Sequence, residues 1–89
     1  MSEVKVEKKN EAELKEMGVF SWPVWSKEAS TFDWHYDSEE KCYILEGEVT
    51  VEAEGESVSF KAGDFVTFPE GMDCVWNIKK DIRKHYSFS

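Results

Sequence analysis

Cysteines number only two, Cys42 and Cys74, and they form no CxxC pair. A small secreted scaffold held by disulfides carries more, so free thiols in a reducing, cytoplasmic compartment are expected. Apolar runs are short: Cys42–Leu45 is cut off at once by Glu46. A bilayer-crossing helix needs roughly 20 apolar residues, so none is expected, nor is a secretory leader. Basic residues are in deficit, with 11 Lys and Arg against 19 Asp and Glu and a net charge of −8. Duplex DNA is bound by Lys and Arg that displace counterions, and anionic membrane surfaces repel an acidic chain. Neither nucleic acid nor membrane is expected as a partner, and the acidic excess reads as a solubilising coat.

What is present is enough for one folded unit. The 89 residues leave room for a single domain, 1–89. A chain this small buries only about 60% of its unfolded surface, so its core is thin. A closed or oligomeric architecture makes the most of such a core, and a homodimer is expected. The 40% apolar and 15% aromatic content argues against disorder despite the 34% charged residues.

Glu3–Glu7 alternates charged and apolar residues, the period of a strand. Asn10, with Glu13 three residues on, predicts a capped helix start, and Gly18 predicts its stop. A helix of about two turns does not stand alone in water and must pack on something. Phe20–Trp25 reads F-S-W-P-V-W, and Pro23 restricts it to an extended edge or loop. Its aromatics either plug the core or meet a partner.

From Thr31 onward the pattern is all β. Strands are predicted at Phe32–Tyr36, Cys42–Ala53, Ser57–Lys61, Phe65–Phe68, Cys74–Ile78 and Ile82–Phe88. Glu54-Gly55-Glu56, Ala62-Gly63-Asp64 and Pro69-Glu70-Gly71 supply the turns. Short strands at regular spacing predict a sandwich or barrel, and Gly47 marks a sharp bend in the longest strand. On the last strand, alternation sets Arg83 and His85 on one face and Lys84, Tyr86 and Phe88 on the other.

Two half-motifs occur in order. Glu40, six residues and Gly47 match the second half of cupin motif one; Gly63, five residues, Pro69, one residue and Gly71 match the first half of motif two. Over Trp34–Ile78 the chain resembles the cupins, and especially the small single-domain members grouped with ethanolamine-utilisation and ureidoglycine aminohydrolase cupins. W-P-x-W, C-Y-I-L-E-G and R-K-H-Y are further points of likeness. The resemblance implies an antiparallel jelly-roll barrel, with a cupin core at about 31–89, preceded by a short strand and one short helix.

The resemblance also implies a metal site of two histidines, a glutamate and a third histidine, and here the chain departs from it. Trp34 and Tyr36 stand where the first two histidines would be, Glu40 is kept, and Cys74 replaces the third. A thin core needs aromatic area, so Trp34 and Tyr36 are expected to point inward and no native metal is expected. The other register would offer Asp33, His35, Glu40 and Cys74 as a mixed ligand set.

Glu40, facing Trp34, Tyr36 and Cys74, needs a partner or a raised pKa. Tyr36, Arg83 and His85 are the candidate partners, and Glu40 and His85 the candidate catalytic groups. Trp34, Tyr36, Glu40, Cys74, Trp76 and His85 are the candidate ligand-binding residues. Together they describe a small-molecule pocket of aromatic walls around one carboxylate. The competing expectation is a metal-dependent aminohydrolase, isomerase or dioxygenase with a non-standard ligand set.

Overall fold

A computed structural model describes residues 4–88. Seven strands and one helix follow one another: β1 (Lys5–Glu7), α1 (Glu11–Met17), a 3-10 turn (Val19–Ser21), β2 (Val24–Lys27), β3 (Ser30–His35), β4 (Glu40–Ala53), β5 (Glu56–Lys61), β6 (Phe65–Phe68) and β7 (Asp73–Phe88). The start of the alternating stretch at Glu3 lies outside the described residues.

Two long antiparallel strands, β4 and β7, pair along nearly their whole length, and each half takes a different outer neighbour. The first half of β4 pairs with β6, and β6 with β1, while the second half of β7 pairs with β2. The second half of β4 pairs with β5, and the first half of β7 with β3. The sheet is thereby rolled into two layers that share the two long strands. This is an all-β jelly roll.

The roll turns at Gly47. Its φ is +106°, and a Cβ there would lie 2.6 Å from the Asp81 carbonyl oxygen and 2.8 Å from the Ile82 Cα. Backbone cannot yield as a flexible side chain can, so only glycine permits the crossing. The β4–β7 register shifts on both sides of this residue. Inward residues of β4 accordingly change parity, from Glu40, Cys42 and Ile44 to Val49 and Val51.

The sequence predicted two strands at the C-terminus, and the structure has one. Lys79, Lys80 and Asp81 are exposed yet extended, with Lys80 still paired to Glu48. Gly47 absorbs the bend on β4, so β7 runs through. Apart from the exposed Lys80, its even-numbered residues from Cys74 to Lys84 are buried: Cys74, Trp76, Ile78, Ile82 and Lys84.

The apolar residues form two clusters. The larger lies between the layers and includes Tyr36, Cys42, Ile44, Phe60, Phe68, Trp76 and Ile82. The smaller lies on the outer side of β4 and β6, where Leu14, Val19 and Phe65 meet Trp22 and Tyr43. α1 covers that side. Asn10 accepts from the Glu13 N–H at 2.8 Å, Glu13 accepts back from the Asn10 N–H, and Gly18 ends the helix in the left-handed region. The F-S-W-P-V-W segment divides its aromatics: Trp22 joins the outer cluster and Trp25 the inner one, while Phe20 and Val24 stay exposed. β2 is an edge strand, the place Pro23 allows.

Candidate functional site

Between the layers lies a cavity of about 210 Å³. β3 contributes Phe32 and Trp34, with Tyr36 just beyond its end; β7 contributes Trp76, Lys84, Tyr86 and Phe88; β4 contributes Glu40 and β2 contributes Trp25. Trp34 and Phe88, 46% and 49% exposed, form the mouth. Trp76 is fully buried, stacks with Phe32 at 6.1 Å, and meets Trp25 edge-on at 6.2 Å.

At the inner end sits an ion pair that the sequence did not indicate. Lys84 Nζ donates to Glu40 Oε2 at 2.8 Å, and the two side chains are 6% and 4% exposed. The same ammonium lies 4.7 Å from the Trp76 ring centre and 5.0 Å from that of Trp25. Aromatic faces attract a desolvated cation, so Lys84 is held by a carboxylate and two indoles. Glu40 therefore pairs with Lys84, and not with Tyr36, Arg83 or His85. The pairing follows from parity: on β7, Lys84 falls on the inward face with Trp76 and Tyr86. Alternation placed Lys84 on that face with Tyr86 and Phe88, but Lys84 was not among the expected partners of Glu40.

Tyr36 Oη accepts a hydrogen bond from Trp76 Nε1 at 3.2 Å. Burial, aided by the nearby charge of Glu40, pushes the Tyr36 phenol far above its ordinary value, so it stays a neutral hydroxyl. Its backbone is pinned as well, accepting from the Gly71 N–H at 2.7 Å and donating to the Met72 carbonyl at 3.0 Å. The turn at Pro69–Gly71 thus fixes the aromatic end of the cavity.

The structure brings four of the six sequence-predicted binding residues to the cavity: Trp34, Tyr36, Glu40 and Trp76. Cys74 and His85 lie outside it. Cys74 is opposite Trp34 in the β3–β7 register and borders a surface groove with Asp33 and His35. Burial, with Asp73 next, pushes its thiol up to about 11. His85 is on the other face of β7, with Nδ1 2.9 Å from the Trp22 carbonyl oxygen and its ring edge-on to Phe20 at 6.0 Å. It braces the outer cluster, which removes it as a pocket base. Lys84, Trp25, Phe32, Tyr86 and Phe88 are the lining residues that the sequence reading did not select.

The donor set does not fit a divalent cation. Glu40 is the one carboxylate lining the cavity, and an ammonium already neutralises it. The mixed set is divided: Asp33 and His35 face outward, and His35 Nδ1 lies 2.7 Å from Asp73 Oδ1. Among the described residues, no three His, Cys, Asp or Glu side chains gather as a metal-holding group.

A rolled antiparallel barrel with a cavity between its layers is a jelly-roll architecture to which the cupins belong. Residues 14–86 match the EutQ-like cupin domain, and the chain belongs to that family. It is 50% identical to a DUF861 family protein from Thermotoga maritima, with a TM-score of 0.96 over 98% of this chain and 100% of the other. It is 30% identical to a Salmonella typhimurium protein designated ethanolamine utilization protein Q, with a TM-score of 0.65 over 71% of this chain and 51% of that one. The Clostridium difficile EutQ protein is 20% identical, with a TM-score of 0.66 over 96% of this chain and 66% of its own, and shows the shared fold. The chain thus spans about half the length of the Salmonella protein. No curated protein matches the chain.

Proposed function

We propose that the protein binds a small molecule in the cavity between its layers, at a site where the metal of other cupins has given way to the Glu40–Lys84 pair. The observation that carries this reading is that buried ion pair, set inside an aromatic-walled space open at Trp34 and Phe88. Ligand sites have this composition, mostly apolar walls with a few converging polar groups. The pair makes the site's charge balanced, so its ligand is an apolar body with a polar tip that reaches Glu40 or Lys84.

The test is a thermal-shift screen of small metabolites against the wild type and the double variant Glu40→Gln/Lys84→Met. A ligand that stabilises the wild type and not the double variant supports the site. A ligand that stabilises both equally lies elsewhere and overturns it.

With this reading goes a cytoplasmic homodimer. Free, buried Cys42 and Cys74 support the reducing compartment. Val24, exposed at the start of the edge strand β2, and Phe20, exposed just before it, support association. Sedimentation at micromolar concentration that gives the monomer mass would overturn the dimer.

A further inference from the structure

Three charged residues are buried among the described ones: Glu40, Asp64 and Lys84. Asp64 has a structural task, since its Oδ2 accepts from the Lys61 N–H at 2.9 Å and closes the turn before β6. Glu40 and Lys84 cap no element with their side chains and close no turn. A buried ion pair is a weak source of stability, and well-packed apolar residues in its place are often as good or better. The pair also lines the cavity.

We propose that Lys84 is a carbonyl-capturing amine, which condenses with a small aromatic aldehyde or ketone in the cavity to form an imine, with Glu40 carrying the proton. The inference rests on the cavity being a ligand site and names the chemistry of its occupant. Lysine amines form imines with carbonyl substrates, and the carboxylate hydrogen-bonded to Lys84 is placed to take the proton that frees its lone pair. An apolar cavity of about 150 Å³ takes benzene, so 210 Å³ holds one substituted ring. Trp25, Phe32 and Trp76 offer that ring its faces.

The step balances within the residues present. Lys84 Nζ passes one proton to Glu40 Oε2 across their 2.8 Å hydrogen bond. The lone pair then forms the C–N bond while the carbonyl π pair moves to oxygen. That oxygen takes a second proton from Nζ and the first back from Glu40, and leaves as water. As the C–O bond breaks, with its electron pair leaving on the water, the nitrogen lone pair forms the second C–N bond, and the nitrogen keeps its third proton as a protonated imine. Its positive charge replaces that of the ammonium between the same carboxylate and the same two indoles, so the site stabilises the product as it does the free lysine. Tyr36, kept neutral beside Trp76, offers a hydroxyl to the carbonyl oxygen.

The experiment uses benzaldehyde as the probe, sodium borohydride to fix any imine, and peptide mass mapping to locate it. Tryptophan fluorescence, with Trp25, Trp34 and Trp76 on the cavity, reports binding separately. The expected result is one benzyl group on Lys84, formed at least about tenfold faster than on the exposed lysines. Glu40→Gln should slow that labelling about tenfold or more, and Glu40→Gln/Lys84→Met, which removes both charges together and should therefore fold, should abolish the selective label. Saturable quenching with Lys84 unlabelled overturns the imine and leaves the ligand site standing. Neither quenching nor labelling overturns both. Label spread evenly over the exposed lysines overturns the imine as well.

Discussion

Two buried carboxylates, Asp64 and Glu40, each meet a lysine, and the difference lies in where the lysine is. Lys8, the partner of Asp64, is 73% exposed along its side chain, whereas Lys84, the partner of Glu40, is 6% exposed. Asp64 spends one oxygen on the backbone of its own turn, and Glu40 spends none on the backbone. A carboxylate whose cation stays largely in water gains little from it, and Asp64 has a peptide N–H to accept from as well. A carboxylate whose cation is buried depends on that cation almost entirely. The Asp64 pair is a clamp on a turn; the Glu40 pair is an isolated polar centre in an aromatic box.

The largest effect should come from breaking the second pair on one side. Lys84→Met leaves Glu40 buried without its cation and should cost about 3–5 kcal/mol, read as a fall in the urea midpoint at unchanged slope. Adding Glu40→Gln should recover most of that loss, since the stranded charge goes with it. If the single variant is as stable as the wild type, the pair is not the isolated centre described.

Asp64 should respond more weakly, and in a way that separates its two bonds. Asp64→Ala leaves the Lys61 N–H without its acceptor and should cost about 1–2 kcal/mol. Asp64→Asn keeps an oxygen for that N–H and loses only the charge facing Lys8, so it should stay nearer the wild type. Equal losses in both variants would mean that the ion pair, and not the turn, carries Asp64.

The thiol beside Glu40 gives a smaller, pH-dependent effect. Burial, opposed by Lys84 and aided by Glu40, pushes Cys42 up to about 12. Above about pH 9, the ordinary thiol value, the unfolded chain releases this proton and the folded chain keeps it. The contribution is whole below pH 9 and is lost as pH rises toward 12. Wild-type stability should therefore fall relative to Cys42→Ala by up to about 1.4 kcal/mol per pH unit above 9. A difference that stays flat from pH 8 to 10 would contradict the burial of this thiol. Because burial is the largest cause, the slope should survive in the variant that lacks both Glu40 and Lys84 side chains.

The frame of the molecule was legible because its signals are local. Asn10 and Glu13 cap α1, Gly18 ends it, and Gly47 bends β4, all within a few residues of where they act. The inward register of Tyr36 and Trp76 was legible from alternation, as was the outward register of Asp33 and His35. The centre of the cavity was not. Glu40 and Lys84 are 44 residues apart and meet diagonally across one stretch of unbroken β4–β7 register, in which Glu40 is opposite Phe88 and Ile44 is opposite Lys84. Nothing in either segment announces that pairing. Lysine is also the residue least expected on an inward face, so parity placed Lys84 correctly while residue type argued for another partner. His85 shows the converse: a chemically attractive side chain on the wrong face of its strand, spent on the Trp22 carbonyl.

Salt draws the finest line between the two pairs. Lys8→Ala removes an exposed cation, and exposed pairs contribute about 0–1 kcal/mol. At 1 M salt the screening length is about 3 Å, which suffices to cancel an attraction that passes through solvent. The difference between Lys8→Ala and the wild type should therefore vanish at that salt concentration. The loss in Lys84→Met should persist, because Glu40 and Lys84 are both buried, and buried pairs are screened far less than exposed ones. Denaturation of both variants in urea at low and high sodium chloride measures the two differences side by side. If the Lys84 loss also disappears with salt, the cavity admits ions to its inner end, and the pair there is screened as the exposed Lys8 is.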